Sequence, residues 1–549
     1  GEYLLTAAYD SEKTQQETLF RDIQPDAFYP IYGDSSIRGF DAQSSGKLYV
    51  RIDSQRSYLM WGDFTPVGNN IRQLTQYSRA LNGAQLHVDE IVAKASSTAD
   101  SVWSNSSDVR SEVNVFASKN NQKQVLEELL ANGTTGPFQL RFSDMLQNSE
   151  KIEVLIRDRQ QNEILSSENN SQRVLERFVD YTIDTATGQL RLRQPLASFD
   201  QNGNRQSLRI RYEVEGDGDE FWVAGIDTQI ELMNKAKLGV VGIEDKDPAK
   251  PSQLQGVYAS VKLAEQTTLN AEVAKVTRYA GNGTDSTAIE KDGQSVSGIA
   301  QRLELVHQSN KVQIKAQAQK SDKDFDFTGS SLSKGRQELT LEASAKPLPQ
   351  TTVKAQLKQS KNLIELTEQT SSGVSATQQL TPGISVELGI RHYRNLSNEV
   401  LTRQSILEEG DIAKLRIAGT LPMLTKVNSF VEYEQDLSVQ DQKLLAFGSE
   451  YNTNWGRVYG RYELISSLNK ANNLNLSAQN QRSAIGFDAK YSDAGSVYSE
   501  YRLSNEGSDT TSNAQLAYGL KHQFNLTNTW SLTGNFEKIQ PTDSSESVD

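Results

Sequence analysis

The chain has 549 residues, enough for several domains or for one large barrel with an inserted domain. It has no cysteine, which excludes a disulfide framework and thiol chemistry, and its net charge of −13 argues against nucleic acid as a partner. Residue 1 is glycine and no signal peptide is visible, so we expect a mature or excised piece of a longer protein.

Residues 1–121 are predicted to hold barrel strands and one loop rich in aromatic residues and glycine. Strand-like alternation of apolar and polar residues occurs at residues 3–9, 47–53, 57–64, 76–88 and 111–118. Residues 57–64 (SYLMWGDF) are apolar and aromatic, which is typical of the girdle at a membrane interface. The loop at residues 28–40 (FYPIYGDSSIRGF) is predicted to be a packed turn rather than a binding site.

Residues 122–135 are predicted to form one short amphipathic helix and a linker. In residues 122–131 (QKQVLEELLA), Val125, Leu126, Leu129 and Leu130 would form the apolar stripe, and Asn132-Gly133 would end the helix.

Residues 136–213 differ in pattern and are predicted to form an inserted β-domain, a candidate plug. Strands are expected at residues 138–142, 151–158, 179–183, 189–192 and 207–213. Residues 184–188 (DTATG) form a hairpin turn with glycine where positive φ is needed, and residues 200–204 form a second turn. A domain of this size, flanked by barrel strands, would sit in the lumen or just below it.

Five carboxylates lie within residues 213–220: Glu213, Glu215, Asp217, Asp219 and Glu220. Oxygen ligands on a glycine-containing backbone suit Ca²⁺, although the order of an EF-hand loop is missing. Two interpretations stay open, a calcium site and a solvated acidic hinge between insert and barrel. Calcium is the only cofactor that the sequence suggests.

Residues 214–549 are predicted to form the main barrel, because alternating strands run from about residue 229 to residue 539. Tight turns fit at residues 265–267, 308–311, 347–350, 381–383, 422–425, 452–454, 492–495 and 525–528. Longer polar stretches lie between them, at residues 244–253, 278–296, 321–336, 360–371, 393–412, 435–440, 466–479 and 504–512. This order of short and long connections predicts a barrel with tight turns on the periplasmic side and long loops outside.

The residues give no support to an enzyme. His87, His307, His392 and His522 are far apart and lack metal-ligand spacing, and the sequence has no P-loop and no GxSxG motif.

Three resemblances add to this interpretation. Residues 179–212, with DYTIDTATGQLRL and LRIRY, resemble a module of large bacterial outer-membrane proteins that include the gliding-motility and type IX secretion translocon. The block YPIYGDSSIRGF…LYVRID…SYLMWGDF…YSRALNGA is similar to the start of barrel regions in large Gram-negative surface proteins, which often carry repeats upstream. The order of barrel and inserted domain is also similar to that of fimbrial ushers.

The sequence therefore predicts an all-β protein of the bacterial outer membrane. The fold is a large transmembrane antiparallel β-barrel of roughly twenty or more strands with an inserted β-rich, plug-like domain. Two functions remain open: a plugged pore or translocon that exports a macromolecule, and a membrane anchor for adhesive or structural surface repeats. Expected partners are outer-membrane lipid and lipopolysaccharide, and a protein cargo or periplasmic or surface proteins, but no nucleic acid.

Overall fold

A computed structural model gives the fold of the chain. It describes residues 3–9, 47–66, 69, 71–77, 79–93, 109–143, 145–146, 149–157, 172–177, 179–197, 204–215, 220–248, 250–279, 295–327, 330–399, 404–421, 424–439, 442–466, 480–492, 494–504, 513–525, 527 and 531–541. Among these residues, no helix is long and apolar enough to cross a membrane.

The described residues form β-strands in this order: β1 Leu4–Tyr9, β2 Leu48–Ser54, β3 Ser57–Phe64, β4 Leu81–Ala93, β5 Val109–Asn120, β6 Gln122–Leu130, β7 Phe138–Gln139, β8 Lys151–Arg157, β9 Gln172–Leu175, β10 Tyr181–Asp184, β11 Gln189–Leu192, β12 Arg205–Glu215, β13 Phe221–Leu232, β14 Ala236–Asp245, β15 Ser252–Ala264, β16 Thr267–Arg278, β17 Val296–Gln308, β18 Val312–Ser321, β19 Arg336–Leu348, β20 Thr351–Asn362, β21 Thr367–Thr381, β22 Ile384–Glu399, β23 Gln404–Leu421, β24 Leu424–Asp436, β25 Lys443–Asn452, β26 Gly456–Ser466, β27 Asn480–Ser492, β28 Gly495–Ser504, β29 Asn513–Asn525 and β30 Ser531–Pro541. Twenty-three of them, β1 to β5 and β13 to β30, form one antiparallel sheet in chain order. Within that sheet β5 pairs directly with β13, so β6 to β12 form an insert between two neighbouring strands.

The outer face of the large sheet is apolar and exposed, whereas its inner face carries most of the buried charged side chains. On β24, Val431 and Tyr433 are 53% and 40% exposed, but Glu432 and Glu434 between them are 0% and 1% exposed. This is the reverse of a water-soluble protein, and it fits lipid outside and a polar lumen inside. On β3, Leu59 and Trp61 are likewise exposed and Met60 and Phe64 buried, which agrees with the predicted interface strand.

The predicted tight turns all fall between consecutive strands, for example the two-residue connections between β15 and β16 and between β19 and β20. Two predicted long loops are wrong. Residues 360–371 contain only a four-residue connection between β20 and β21, and residues 393–412 belong mostly to β22 and β23. These strand ends are polar on both faces, so they lack the apolar alternation that marks a strand in the membrane.

Neighbouring strands are joined on the lumen face by aromatic rings that lie over glycines. In each pair the glycine is directly opposite the ring, and a Cβ on the glycine would collide with it. The pairs are Tyr49–Gly62, Phe116–Gly225, Tyr258–Gly239, Phe430–Gly448, Tyr459–Gly486 and Tyr498–Gly519. Glycines covered by aromatic rings let a wide sheet curve without exposing its backbone.

The insert is a two-sheet β-domain with its own core. One sheet has the order β6-β12-β8-β9 and the other the order β10-β11-β7. Between them lie buried side chains that include Phe138, Ile152, Leu190, Leu208 and Tyr212. The predicted hairpin at residues 184–188 is present between β10 and β11, with Gly188 at a φ of 66°.

The predicted helix at residues 122–131 is wrong, because these residues form strand β6. Its partner is β12, which pairs with it over nine positions from Ser207↔Leu130 to Glu215↔Gln122. The ladder turns Val125 into the core and leaves Leu126 and Leu130 exposed, so a pattern that suits a helix serves here as a strand. The insert therefore covers β6 to β12 rather than the predicted residues 136–213.

Two N-terminal predictions change in a similar way. The strand predicted at residues 76–88 begins only at Leu81, as β4. The described residues before it, Asn69, residues 71–77 and Arg79, lie on the lumen wall, and we call them the inner segment. The predicted loop at residues 28–40 lies outside the described residues.

Candidate functional site in the barrel lumen

The inner segment crosses the lumen face of β13, β16 and β17. Arg72 forms an ion pair of 3.0 Å with Asp227 on β13, and Asn69 donates to Gln229 on the same strand. Arg302 on β17 donates to the carbonyl oxygen of Ile71. The inner segment is thus bonded to the wall at β13 on one side and at β17 on the other.

Glu272 on β16 holds the centre of the inner segment. Its carboxylate accepts hydrogen bonds from the backbone N–H groups of Gln73, Leu74 and Thr75 at 2.7, 3.0 and 2.9 Å. The hydroxyl of Thr75 donates a fourth at 2.6 Å. A buried carboxylate is stable when several donors satisfy it, so Glu272 fixes three consecutive residues to the wall.

Apolar packing seals the same part of the wall. Leu74 and Tyr77 of the inner segment are buried among Val241, Leu254 and Val276 of β14, β15 and β16. The connection between β18 and β19 adds Phe325 and Leu332 to this cluster. Gly298 on β17 makes room for it, because a Cβ there would collide with the backbone of Phe325. The inner segment and the connection between β18 and β19 therefore fill the lumen next to β14 to β17.

Arg79, at the end of the inner segment, joins the insert to the wall. Its guanidinium bonds Glu213 of β12 at 3.1 Å and Asp245 of β14 at 2.9 Å. It also donates to the carbonyl oxygen of Gln122, the first residue of β6. Three parts of the molecule therefore share one buried cation, which we call the Arg79 junction (Arg79, Glu213, Asp245 and Gln122).

Burial is the largest influence on the pKa values of Glu213, Arg79 and Tyr77 at the junction. Burial raises the pKa of Glu213 to about 7, although Arg79 and a hydrogen bond from Gln124 pull it down. Burial opposes the charge of Arg79, but Glu213 and Asp245 outweigh it and raise its pKa. Burial and the charge of Asp245 raise the pKa of Tyr77. The junction thus places two carboxyl groups beside one guanidinium in a largely buried position.

The opposite side of the insert contacts β28 at mid-strand. Arg502 donates to the carbonyl oxygen of Ala131 at 3.4 Å, and Tyr498 accepts from the backbone N–H of Thr135 at 3.5 Å. Gly133, between them, lies against the carboxylate of Glu500: a Cβ on Gly133 would be 2.5 Å from its Cδ. These contacts are with lumen-facing side chains, so the insert lies inside the barrel.

These contacts also require the sheet to curl. Along the sheet, fifteen strand-to-strand steps separate β13 from β28, which would be about 70 Å in a flat sheet. An insert of this length has a radius of gyration of about 12 Å, hence a diameter of roughly 32 Å. A barrel of 23 tilted strands leaves a clear width of roughly 35 Å between side chains. The insert is therefore the right size to occupy most of the lumen.

The lumen face of β18 to β24 is different, because it is largely polar and most of its side chains are only half-buried, apart from buried ones such as Glu432 and Glu434. Its charges are paired with one another: Lys358 with Glu342 at 3.4 Å, Lys414 with Glu387 at 3.3 Å, and Arg416 with Glu432 at 3.0 Å. A recess of ≈ 380 Å³ crosses this face at mid-strand. We call the face the polar wall.

The residues predicted to bind calcium do not come together in the part of the chain that the structure describes. Glu213 belongs to the Arg79 junction, and Glu220 forms an ion pair with Lys119. Asp217 and Asp219, and the side chain of Glu215, lie outside what the structure describes. Among the described residues no group of three or more acidic or histidine side chains could hold a metal ion. A calcium site at residues 213–220 stays a prediction.

The four histidines are placed separately. His87 contacts Asn114, His307 contacts Thr267, His392 contacts Asp411 and His522 contacts Tyr491. They lie on four different strands of the barrel, and these contacts do not bring any two of them together.

Sequence reasoning missed Glu272, Arg72 and Arg79. The available signal was local: an acidic residue on β16 that shares a face with the apolar lumen residues Ala274 and Val276, and two arginines that flank Leu74 and Tyr77. Most of their partners lie between 134 and 199 residues away in the chain, beyond the reach of pattern analysis.

Comparisons with known proteins give distant structural similarity only. No family model matches the chain, and no curated protein is similar to it. The structure of the P pilus usher PapC translocation pore is 11% identical, with 89% of this chain and 86% of that chain covered and a TM-score of 0.38. The copper transporter OprC is 9% identical, with 78% and 74% covered and a TM-score of 0.35. The siderophore receptor PirA from Acinetobacter baumannii is 10% identical, with 83% and 73% covered and a TM-score of 0.30.

The molecule's own geometry defines its class. Its 23 antiparallel strands carry an exposed apolar outer face and a polar inner face, and a folded domain between β5 and β13 lies against the inner face. Only closed barrels allow strands to cross a membrane, and barrels of this kind are those of outer membranes. The chain is a large transmembrane β-barrel of the bacterial outer membrane with an inserted β-domain in its lumen.

Proposed function

We propose that the protein is a gated conduit for a macromolecule, in which the insert is the plug. One observation carries the proposal: the insert contacts lumen-facing residues of β28 at mid-strand while its other side is joined to β14 through Arg79. A domain that contacts two distant parts of the wall at this depth obstructs passage through the barrel. Its roughly 32 Å width implies that its removal would leave space for a polymer or a small folded domain.

The contacts of the plug are of the kind that can be released. Against β28 they include two long hydrogen bonds, at 3.4 and 3.5 Å, and the close approach at Gly133. The firm attachment is the Arg79 junction, where one arginine satisfies two carboxylates. Gating then consists of releasing the plug from Arg79 while its own two-sheet core stays folded.

The test replaces the plug with a turn. Asn120 and Phe221 face each other at the ends of β5 and β13, so residues 121–220 can be replaced by Asn-Gly, which forms a two-residue hairpin turn. In planar lipid bilayers we expect this variant to conduct steadily, with a larger current than porins of roughly 16–18 strands, and the unchanged protein to conduct little.

A closed wild-type protein and a closed deletion variant would together contradict the conduit. That result would favour the alternative function, an anchor for surface repeats. Circular dichroism and heat-modifiable migration in gels should show first that the deletion variant is a folded barrel, so that a lost current is not mistaken for lost folding.

A further inference from the structure

The recess of the polar wall is a long groove rather than a round pocket. It is lined by residues from seven consecutive strands, from Lys315 on β18 to Glu434 on β24. Six steps between strands correspond to about 29 Å around the wall. A chain in extended conformation advances about 3.3 Å per residue, so the groove is as long as a segment of about nine residues.

The floor of the groove is kept open by glycines. Gly373 on β21 and Gly389 on β22 both line it. A Cβ on Gly373 would be 3.3 Å from Arg391, and a Cβ on Gly389 would be 3.1 Å from Ser375. Two side chains are thus absent from the floor of the groove at this point.

The charges of the groove are mixed. Four basic side chains (Lys315, Lys354, Arg391 and Lys414) and three acidic ones (Glu342, Glu387 and Glu434) line it. Selective pores for anions or cations instead carry rings of one sign. Since neither sign dominates, a polyanion or a polycation would meet as much repulsion as attraction along the groove.

The remaining lining favours a peptide. None of the described residues that line the groove is aromatic, so it offers no platform on which nucleobases could stack. Amide and hydroxyl groups of Gln313, Gln356 and Ser344 add both donors and acceptors. A polypeptide backbone carries one donor and one acceptor per residue, which matches such a surface.

From these observations we infer that the polar wall is a track for an extended polypeptide of mixed charge, of which about nine residues lie in the groove. The inference rests on the proposed conduit, and it adds the class of cargo. Each contact is weak and water-accessible, so a chain would be guided without being held.

The experiment uses the variant in which Asn-Gly replaces residues 121–220, reconstituted in a planar bilayer. The probes are an unstructured peptide of Lys, Glu, Gly and Ser, polyglutamate, polylysine, and dextran of matched mass. We expect the mixed peptide to interrupt the current for longer than the other three. We also expect K⁺ and Cl⁻ permeabilities within about a factor of two of each other.

A charge reversal in the groove should change which probe interrupts the current for longest. Lys354→Glu with Lys414→Glu makes the groove acidic, so interruptions by polylysine should lengthen and those by the mixed peptide should shorten. The matched control is Lys323→Glu with Lys334→Glu, which makes the same change of charge at exposed positions between β18 and β19.

The outcomes separate the two proposals. If the deletion variant carries no current, the conduit itself is wrong. If it conducts but dextran or polyglutamate interrupts the current as long as the mixed peptide does, only the polypeptide track is wrong. An equal response of the groove variant and the control variant would overturn the track as well.

Discussion

The stretch of wall from β13 to β24 has two halves, β13 to β17 and β18 to β24, with similar outer faces and different inner ones. Outside, Val257 and Val273 of the first half are as exposed as Val374 and Val431 of the second. Inside, the first half carries an apolar cluster and is covered by the inner segment, whereas the second is polar and charge-paired. Lipid dictates the outer face of every strand, so the inner face is where the two halves could diverge. The covered half holds the plug in place, and the polar half is left for passage.

The largest expected effect comes from Arg79, which belongs to the covered half. Arg79→Ala leaves Glu213 and Asp245 buried without their shared cation, and breaking such a group costs about 3–5 kcal/mol. We expect the plug to leave its place and the open fraction in single-channel recordings to rise steeply. Arg416→Ala, which removes an arginine paired with Glu432 on the polar wall, is the matched control and should leave the channel closed.

Replacing Glu272 should have the second-largest effect. Glu272→Gln keeps one oxygen for the inner segment but turns an amide N–H₂ toward backbone N–H groups that need an acceptor, at a cost of about 2–3 kcal/mol. Limited proteolysis should then cut the chain near residues 71–77 before the rest of the protein. Glu342→Gln on the polar wall, which removes the half-exposed ion pair with Lys358, should alter neither proteolysis nor thermal stability. Equal sensitivity of the two variants would contradict the contrast between the halves.

The glycine–aromatic pairs give a third, smaller effect that both halves share. Gly448→Ala places a Cβ 2.9 Å from Cζ of Phe430, and overpacking of this kind costs about 1–3 kcal/mol. Gly534→Ala is the control, because nothing lies within 4 Å of its Cβ position. Thermal unfolding in detergent should show a lower Tm for the first variant and an unchanged Tm for the second.

The smallest effect is a dependence of plug attachment on pH. The pKa of Glu213 rises from 4.5 to about 7 when it is buried, so the attached state binds this proton more tightly than the released state. The contribution of this proton to the stability of the attached plug is fully present below pH 4.5 and is lost as the pH rises through 7. The open fraction of the wild-type channel should therefore be lower at pH 5 than at pH 8. Glu213→Gln does not titrate. The open fraction of this variant should therefore differ less between pH 5 and pH 8 than that of the wild type.

Much of the barrel could be predicted from the sequence, and the reason is physical. Lipid forces a period of two on each strand, and tight turns demand residues such as Pro349-Gln350 or Pro382-Gly383 at regular intervals. Where lipid no longer acts, the prediction failed: the ends of β22 and β23 are polar on both faces, and residues 122–130 follow the ladder of β12 rather than their helical pattern. The Arg79 junction and the bonds to Glu272 depend on contacts between distant residues, which no local pattern contains.

A reversible crosslink between the plug and β28 tests the central claim most directly. The chain has no cysteine, so Gly133→Cys and Glu500→Cys form a unique pair at the point of closest approach. Combined with Arg79→Ala, oxidation should join the two cysteines and stop the current, and reduction should restore it. Each single cysteine in the same background should conduct under both conditions. If the two cysteines fail to crosslink, or if the crosslinked protein conducts as well as the reduced one, the insert does not close the lumen at this depth.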